Sequence, residues 1–256
     1  MTAALLGAGL EGAGVMVTGA AGGIGGATAR ALAEAGAQVC AVDLPGPALD
    51  EAVASLPGRD DHVALPLDLA DTGALDAAVR QAAGRLESLW GLVHAAAFLR
   101  RQAPAEVTEE TWDAQLDVNL KATFWLNRAV GELLTAGGRG GRIINFTSAA
   151  WMTGPMIDSD VYAASKGGVV TMTKGFARRL GPAGITVNAI SPGQIATAMQ
   201  HKENTPEAMA AVAANCPLER MGTAEEVAAV AVFLASTHAS FVSGATVNVS
   251  GGLLMY

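Results

Sequence analysis

Tyr162 and Lys166 have side chains suited to proton chemistry. They stand four residues apart in a helix-like stretch, so both fall on one helix face. A free phenol titrates near 10 and is a poor base at neutral pH. A neighbouring ammonium favours the phenolate, and each pH unit of acidification takes about 1.36 kcal/mol of differential interaction. A phenol so tuned can take a proton from an alcohol as hydride departs, and return it in reverse. Ser148, just past an apolar run, is placed to hold the substrate oxygen by a hydrogen bond. Taken alone, a Tyr-x-x-x-Lys pair is common and reads as an exposed helix pair. Its weight comes from its order in the chain, behind a strand-end serine and a glycine-rich turn.

That turn is Thr18-Gly19-Ala20-Ala21-Gly22-Gly23-Ile24-Gly25. It follows an apolar strand and opens a helix. Gly19 permits a tight bend, while Gly23 and Gly25 let backbone approach a pyrophosphate and let the helix lie close to the sheet. The helix head, Ile24 included, offers free N–H groups and a positive dipole end to phosphates. The second strand ends in Asp43, 18 positions after Gly25, which suits hydrogen bonding to the adenosine ribose. Its charge repels a 2′-phosphate, and no Arg or Lys lies in the turn or just after Asp43. The expected cofactor is NAD. The oxidised ring's positive charge would assist Tyr162.

Positioning these residues requires strands alternating with helices. Val15–Thr18, Gln38–Val42, Val63–Leu67, Trp90–Ala95, Arg142–Phe146, Ile185–Ile190 and Thr246–Val249 read as strands. Helical patterns fill Ile24–Ala35 (closed by Gly36), Thr72–Leu86, Glu109–Leu134 (with Thr108 as N-cap), Val161–Leu180 and Glu225–Ala235. All-apolar strands between helices mean a parallel sheet covered on both faces. The expected architecture is one α/β domain over residues 1–256, a doubly wound, Rossmann-type sheet of about seven strands. Its ligand site falls at the carboxyl ends of the strands.

The bulk composition fits. The chain has 256 residues, enough for a large single core. Only 16% are charged, which implies buried strands and apolar oligomer surfaces. A net charge of −8 argues against nucleic acid or an anionic membrane as partner. Two cysteines, Cys40 and Cys216, indicate neither a disulfide framework nor a metal site and fit a reducing cytoplasm. The apolar start lacks a basic n-region and does not read as a signal peptide. The run Val227–Ala235 is too short to span a bilayer.

In these motifs the chain resembles the short-chain dehydrogenase/reductase family, in its single-domain branch, from Gly14 to Gly252. The matching pieces are TGAAGGIG at Thr18–Gly25, Asp43, Asp68-Leu69, Asn119, Ser148, YAASK at Tyr162–Lys166 and NAISPGQIAT at Asn188–Thr197. The resemblance implies that Asp68 and the Leu69 backbone meet the adenine. It implies that Asn119 holds a water relaying protons from Lys166, and that Lys166 also bonds the nicotinamide ribose. Pro192 and Gly193 would shape the nicotinamide pocket, with Ile195 and Thr197 near the carboxamide and phosphates. Two departures stand out. The family's usual Asn-Asn-Ala-Gly is His94-Ala95-Ala96-Ala97 here, putting its structural hydrogen bonds in doubt, although Ala95 and Ala97 leave room for the cofactor. His94 itself reads as a satisfied core histidine. The Ser148-to-Tyr162 gap is 14, one longer than is common, which enlarges a loop bordering the substrate.

Phe98, Leu99, Trp151, Met152, Met156, Gln194 and Met199 are candidate walls of a largely apolar pocket. Arg100 and Arg101 read as solvated charges, and Asp158 and Asp160 as capping or surface residues. Residues 194–217 read as a substrate flap with a short helix. The leading expectation is a secondary alcohol/ketone oxidoreductase acting on a small molecule. The alternatives are a 3-oxoacyl carrier-protein reductase, which would favour NADP and a basic docking surface, and a non-catalytic NAD-binding regulator, which could dispense with Tyr162 or Lys166. Likeness of the two long helices to the family's subunit contacts implies a homotetramer.

Overall fold

A computed structural model describes residues 6–155, 157–197 and 205–255. The strand segments are short and rich in Val and Ile, and most of those inside the sheet are buried at nearly every position, as the interior of a two-faced sheet requires. They are β1 (Gly14–Thr18), β2 (Gln38–Asp43), β3 (Val63–Pro66), β4 (Leu89–His94), β5 (Gly141–Phe146), β6 (Ile185–Pro192) and β9 (Thr246–Val249). They form one seven-stranded parallel sheet in the order β3-β2-β1-β4-β5-β6-β9. The order reverses between β1 and β4, and a crevice opens at such a point, beyond the carboxyl ends of the strands.

Alternate strand residues feed two cores. Val15, Val17, Val39, Ala41, Val93 and Ile144 pack against helices α1 (Gly23–Glu34) and α9 (Ala224–Ala235). Met16, Cys40, Leu92, Ile143 and Val187 pack against α3 (Leu75–Arg85), α5 (Ala122–Gly137) and α7 (Asp160–Leu180). The doubly wound expectation is what the structure shows.

Four local features differ from the sequence pattern. Helix α2 (Pro47–Ala54) is not among the helices expected from the sequence pattern, although Pro47 at its first position is a start signal. The long pattern from Glu109 is α4 (Glu109–Leu116) joined to α5 through a π turn at Asp117–Lys121. Thr108 does cap α4, accepting from Thr111 N at 3.3 Å while its own N–H donates to Thr111 Oγ1 at 3.0 Å. A short helix α6 (Ala150–Thr153) occupies the loop after β5. Ser159, not Asp158 or Asp160, takes the N-cap position of α7, with no side-chain cap bond. In the expected flap, β7 (Ile195–Ala196) pairs with β8 (Gly222–Thr223), and α8 (Pro206–Ala214) is the short helix. Residues 198–204 of that segment lie outside the described residues.

Candidate active site

The glycine turn joins β1 to α1 at the crevice. Gly19 has a φ of 71°, and a Cβ there would stand 2.9 Å from the Ala96 nitrogen and Cα. A Cβ at Gly25 would lie 2.1 Å from the Gly19 carbonyl oxygen, so only glycine fits. Gly22 at the N-cap of α1 supplies no side-chain cap, and the first turn contains no acidic residue. The N–H groups around Ile24 therefore face the crevice uncompensated by side chains, which fits a pyrophosphate. Thr197 stands opposite, its methyl 3.9 Å from where a Cβ of Gly23 would be.

Asp43 closes the same turn. Its carboxylate accepts from Ala21 N and Leu44 N, each at 2.8 Å. The residue expected to meet a ribose therefore also holds the glycine turn in place. Asp68 accepts from Ala70 N at 2.9 Å, and Leu69 is buried beside it. Pro192 and Ile195 are buried, and Gly193 packs on Ser250, where a Cβ would stand 2.7 Å from its Cα. Ala95 is half-buried and Ala97 exposed on the crevice side of β4.

Helix α7 carries Tyr162 and Lys166 on its inner face. Lys166 is fully buried and its Nζ donates to the Phe146 carbonyl at 2.8 Å. Thr147 Oγ1 donates to the Lys166 carbonyl at 2.8 Å, pinning α7 to the end of β5. The Lys166 Nζ lies 5.6 Å from the centre of the Tyr162 ring. Ser148, just past the end of β5, acts on the Tyr162 phenol and favours its ionised form. The structure thus brings together the three side chains expected to react.

The electrostatics differ from the expectation in one respect. Burial raises the Tyr162 phenol above its ordinary value of 10, against smaller lowering by Ser148 and the Arg101 charge. Burial also pushes Lys166 down to about 8. With the protein's own groups alone, desolvation outweighs the acidifying effect expected of the ammonium. Arg101, read from sequence as a solvated charge, reaches Tyr162 electrostatically and bonds the Ile157 carbonyl at 3.4 Å.

Asn119 sits in the π turn, fully buried. Its amide clamps Phe98, donating to the Phe98 carbonyl and accepting from Phe98 N, both at 2.8 Å, and donates to Ser165 Oγ at 3.2 Å. Its side chain therefore fixes the loop after β4 against α7. A π turn at a polar residue of this kind commonly marks a functional position.

His94 fills the first position of the departed motif. Thr18 Oγ1 accepts from Ala96 N at 3.2 Å and lies 2.7 Å from His94 Nδ1. Among the described residues Nδ1 is the acceptor within reach of the hydroxyl's one proton, which puts the single ring proton of the neutral imidazole on Nε2. Burial, with the Lys166 charge, holds the imidazole neutral by lowering it to about 3. His94 thus ties the glycine turn to β4.

Phe98 is 38% exposed and Trp151 and Gln194 are half-buried, Gln194 lining a cavity with Cys216, Leu218, Asn248 and Leu254. Met156 and Met199 lie outside the described residues. Sequence reasoning missed the Phe146 carbonyl and Ser165, because main-chain acceptors and helix-face serines have no distinguishing pattern. Among the described residues no His, Cys, Asp and Glu cluster could hold a metal, and no helix is long and apolar enough to cross a membrane.

A switch-point crevice, an uncapped glycine turn and a half-buried Ser148 and Tyr162 beside the buried Lys166 define a Rossmann-type oxidoreductase. Residues 19–254 match a family model described as enoyl-(acyl carrier protein) reductase. Rat (3R)-3-hydroxyacyl-CoA dehydrogenase is 39% identical over 252 residues, spanning 94% of this chain and 95% of that protein. The D-threitol dehydrogenase of Mycolicibacterium smegmatis is 37% identical over 244 residues, 95% and 93% of the two chains. The 3-oxoacyl-[acyl-carrier-protein] reductase of Thermotoga maritima is 37% identical over 250 residues, 96% and 99%. The chain belongs to the short-chain dehydrogenase/reductase family. It is an oxidoreductase acting on CH–OH groups with a nicotinamide cofactor.

Proposed function

We propose that the chain interconverts a secondary alcohol and a ketone, using NAD(H), with Tyr162 as general acid/base. The observation that carries this reading is the fully buried Lys166 with its Nζ 5.6 Å from the centre of the Tyr162 ring, beside Ser148, which acts on the same phenol. Bound nicotinamide supplies the hydride acceptor. Ser148 holds the substrate oxygen, Tyr162 takes its proton, and Lys166 bonds the nicotinamide ribose and returns the proton outward past Asn119. Gly19, Gly23, Ile24 and Gly25 hold the pyrophosphate. Asp68, Leu69, Ala95, Ala97, Pro192, Gly193, Ile195 and Thr197 line the rest of the cofactor.

Asp43 supports NAD over NADP. Its carboxylate is fixed by two backbone N–H groups at the ribose position, so it cannot easily swing away from a 2′-phosphate. At about 4 Å and an effective dielectric of 20, that repulsion is about 4 kcal/mol. Phe98, Trp151, Met156, Gln194 and Met199 form the substrate wall, under a flap at 194–217. A second reading, a 3-hydroxyacyl thioester substrate, is favoured by the likeness to the rat and Thermotoga enzymes. We further place the protein in the cytoplasm as a homotetramer. Trp112 and Phe124, 45% and 41% exposed on α4 and α5, and Phe241 near the tail, fully exposed, are apolar faces suited to other subunits.

Tyr162→Phe tests the central assignment. Turnover of secondary alcohols, followed by NADH absorbance, should vanish while NADH affinity stays within about twofold. Equal turnover by the variant refutes the acid/base role.

A further inference from the structure

His94 and Asn145 are buried polar residues that the reaction above does not use. They are register partners on β4 and β5, so their side chains leave adjacent strands on the same face. Both point toward α7: Asn145 Nδ2 donates to Thr173 Oγ1 at 3.1 Å, and His94 lies close enough to Lys166 for that charge to act on it. His94 is 3% exposed and Asn145 fully buried.

Each side chain is half satisfied. His94 Nδ1 is taken by Thr18, and Asn145 Nδ2 by Thr173. His94 Nε2 and Asn145 Oδ1 have no hydrogen-bonding partner among the described residues. The first is a donor by the tautomer argument, the second an acceptor. A buried donor and acceptor left unpaired cost about 1–3 kcal/mol each. A single water between them removes both costs and keeps one lone pair free.

Lys166, whose charge reaches His94, has hydrogens to fill that lone pair. Its ammonium has three donors and spends one on the Phe146 carbonyl. We propose that His94 and Asn145 hold one buried water on the inner side of Lys166, and that through it His94 acts as a positioning residue for the ammonium. His94 then links the glycine turn, through Thr18, to the lysine beside Tyr162. The kinetic half rests on the dehydrogenase reading above; the water itself does not.

The groups facing Lys166 are few. Tyr162 lies on its own helix, His94 on β4, and β5 contributes the neutral Phe146 carbonyl. Burial alone shifts Lys166, and no carboxylate acts on it among the described residues. An accepted hydrogen bond from the ammonium to water is therefore its main defence against losing the proton.

Two experiments test this. A high-resolution crystal structure of the cofactor-bound wild type should show water density within hydrogen-bonding distance of both His94 Nε2 and Asn145 Oδ1. A direct His94–Asn145 contact, or a dry gap, overturns the proposal. The second is the pH profile of kcat for alcohol oxidation in His94→Leu and His94→Asn. The asparagine variant keeps an acceptor beside Thr18 and loses reach to the water. In both variants the alkaline limb should move down by about one pH unit, roughly tenfold less activity on that flank. If His94 were merely structural, amplitude would fall equally at every pH; an unshifted limb in His94→Asn overturns the positioning role. Should the protein show no alcohol oxidation at all, the functional reading fails, while the density still decides whether the water exists.

Discussion

Acid should unfold this protein through His94, and the size of the effect follows from its burial. In the fold the imidazole is neutral and held down to about 3, with burial the larger cause and the Lys166 charge the smaller. In the unfolded chain it takes up a proton near 6.5. The unfolded state therefore binds more protons than the fold between those values, so stability falls as pH drops through that window. The full contribution is present above about 6.5. At about 1.36 kcal/mol per pH unit, the fall to about 3 is worth about 5 kcal/mol, of which about 3 kcal/mol is gone by pH 4.5. A loss of that size is a large fraction of a domain's total stability. The assay is urea unfolding between pH 7.5 and 4.5, wild type beside His94→Asn, without added cofactor. Carboxylates held below their usual range, such as Glu226 at about 2, act at lower pH and are common to both proteins. The stability difference between the two should therefore shift by about 3 kcal/mol in favour of the variant on acidification. If both lose stability in parallel, His94 is not the buried neutral group that the Thr18 bond and its burial indicate.

Gly25→Ala should reduce NADH affinity at least tenfold in a fluorescence titration, because the new methyl would meet the Gly19 carbonyl at 2.1 Å and the turn must open. Unchanged affinity would mean the turn does not carry the phosphates. Asp43→Ala should weaken NADH about tenfold and admit NADPH, losing both the charge and the acceptor for Ala21 N; a wild type that already prefers NADPH overturns the cofactor choice. Lys166→Met should abolish turnover yet melt no lower than wild type. Removing an ammonium that burial has pushed down to about 8 relieves about 3 kcal/mol, which roughly offsets the orphaned Phe146 carbonyl. A drop in Tm of more than about 5 °C would show that the lysine stabilises the fold.

The strands were legible because a sheet buried on both faces is built of short, uncharged and mostly apolar runs, such as GVMVT and ITVNAISP, bounded by helical patterns. The reacting trio was legible because side-chain chemistry is written in residue type. What escaped was carried by the main chain or by shape. The Phe146 carbonyl that anchors Lys166 could belong to any residue. Asp43 was read for its charge toward a ribose, but its grip on Ala21 N depends on how the turn folds back over β2. The π turn at Asp117–Lys121 adds a residue to the helical register without disturbing the apolar pattern on either side. His94 was read as a satisfied core histidine, and that holds only for Nδ1.

Desolvation acts on Tyr162 and Lys166 in the same sense, driving each toward its neutral form. Near pH 7 the phenol is therefore fully protonated, which suits donation to a ketone oxygen and not removal of an alcohol proton. For the reverse direction a positive charge must enter the cleft. In a dry site such a charge lowers the phenol strongly, since the effective dielectric there is far below that of water. The oxidised nicotinamide ring is cationic and the reduced ring is not. The same Tyr162 is thus an acid beside the reduced ring and a base beside the oxidised one, with no change in the protein. Arg101 and the Ser148 hydroxyl, which both lower the phenol, bring it part of the way and leave the rest to the ring. Removing Arg101 should therefore move the rising limb of alcohol oxidation to higher pH and leave ketone reduction near pH 7 unchanged. Identical shifts in both directions would show that the charge acts on substrate and not on Tyr162.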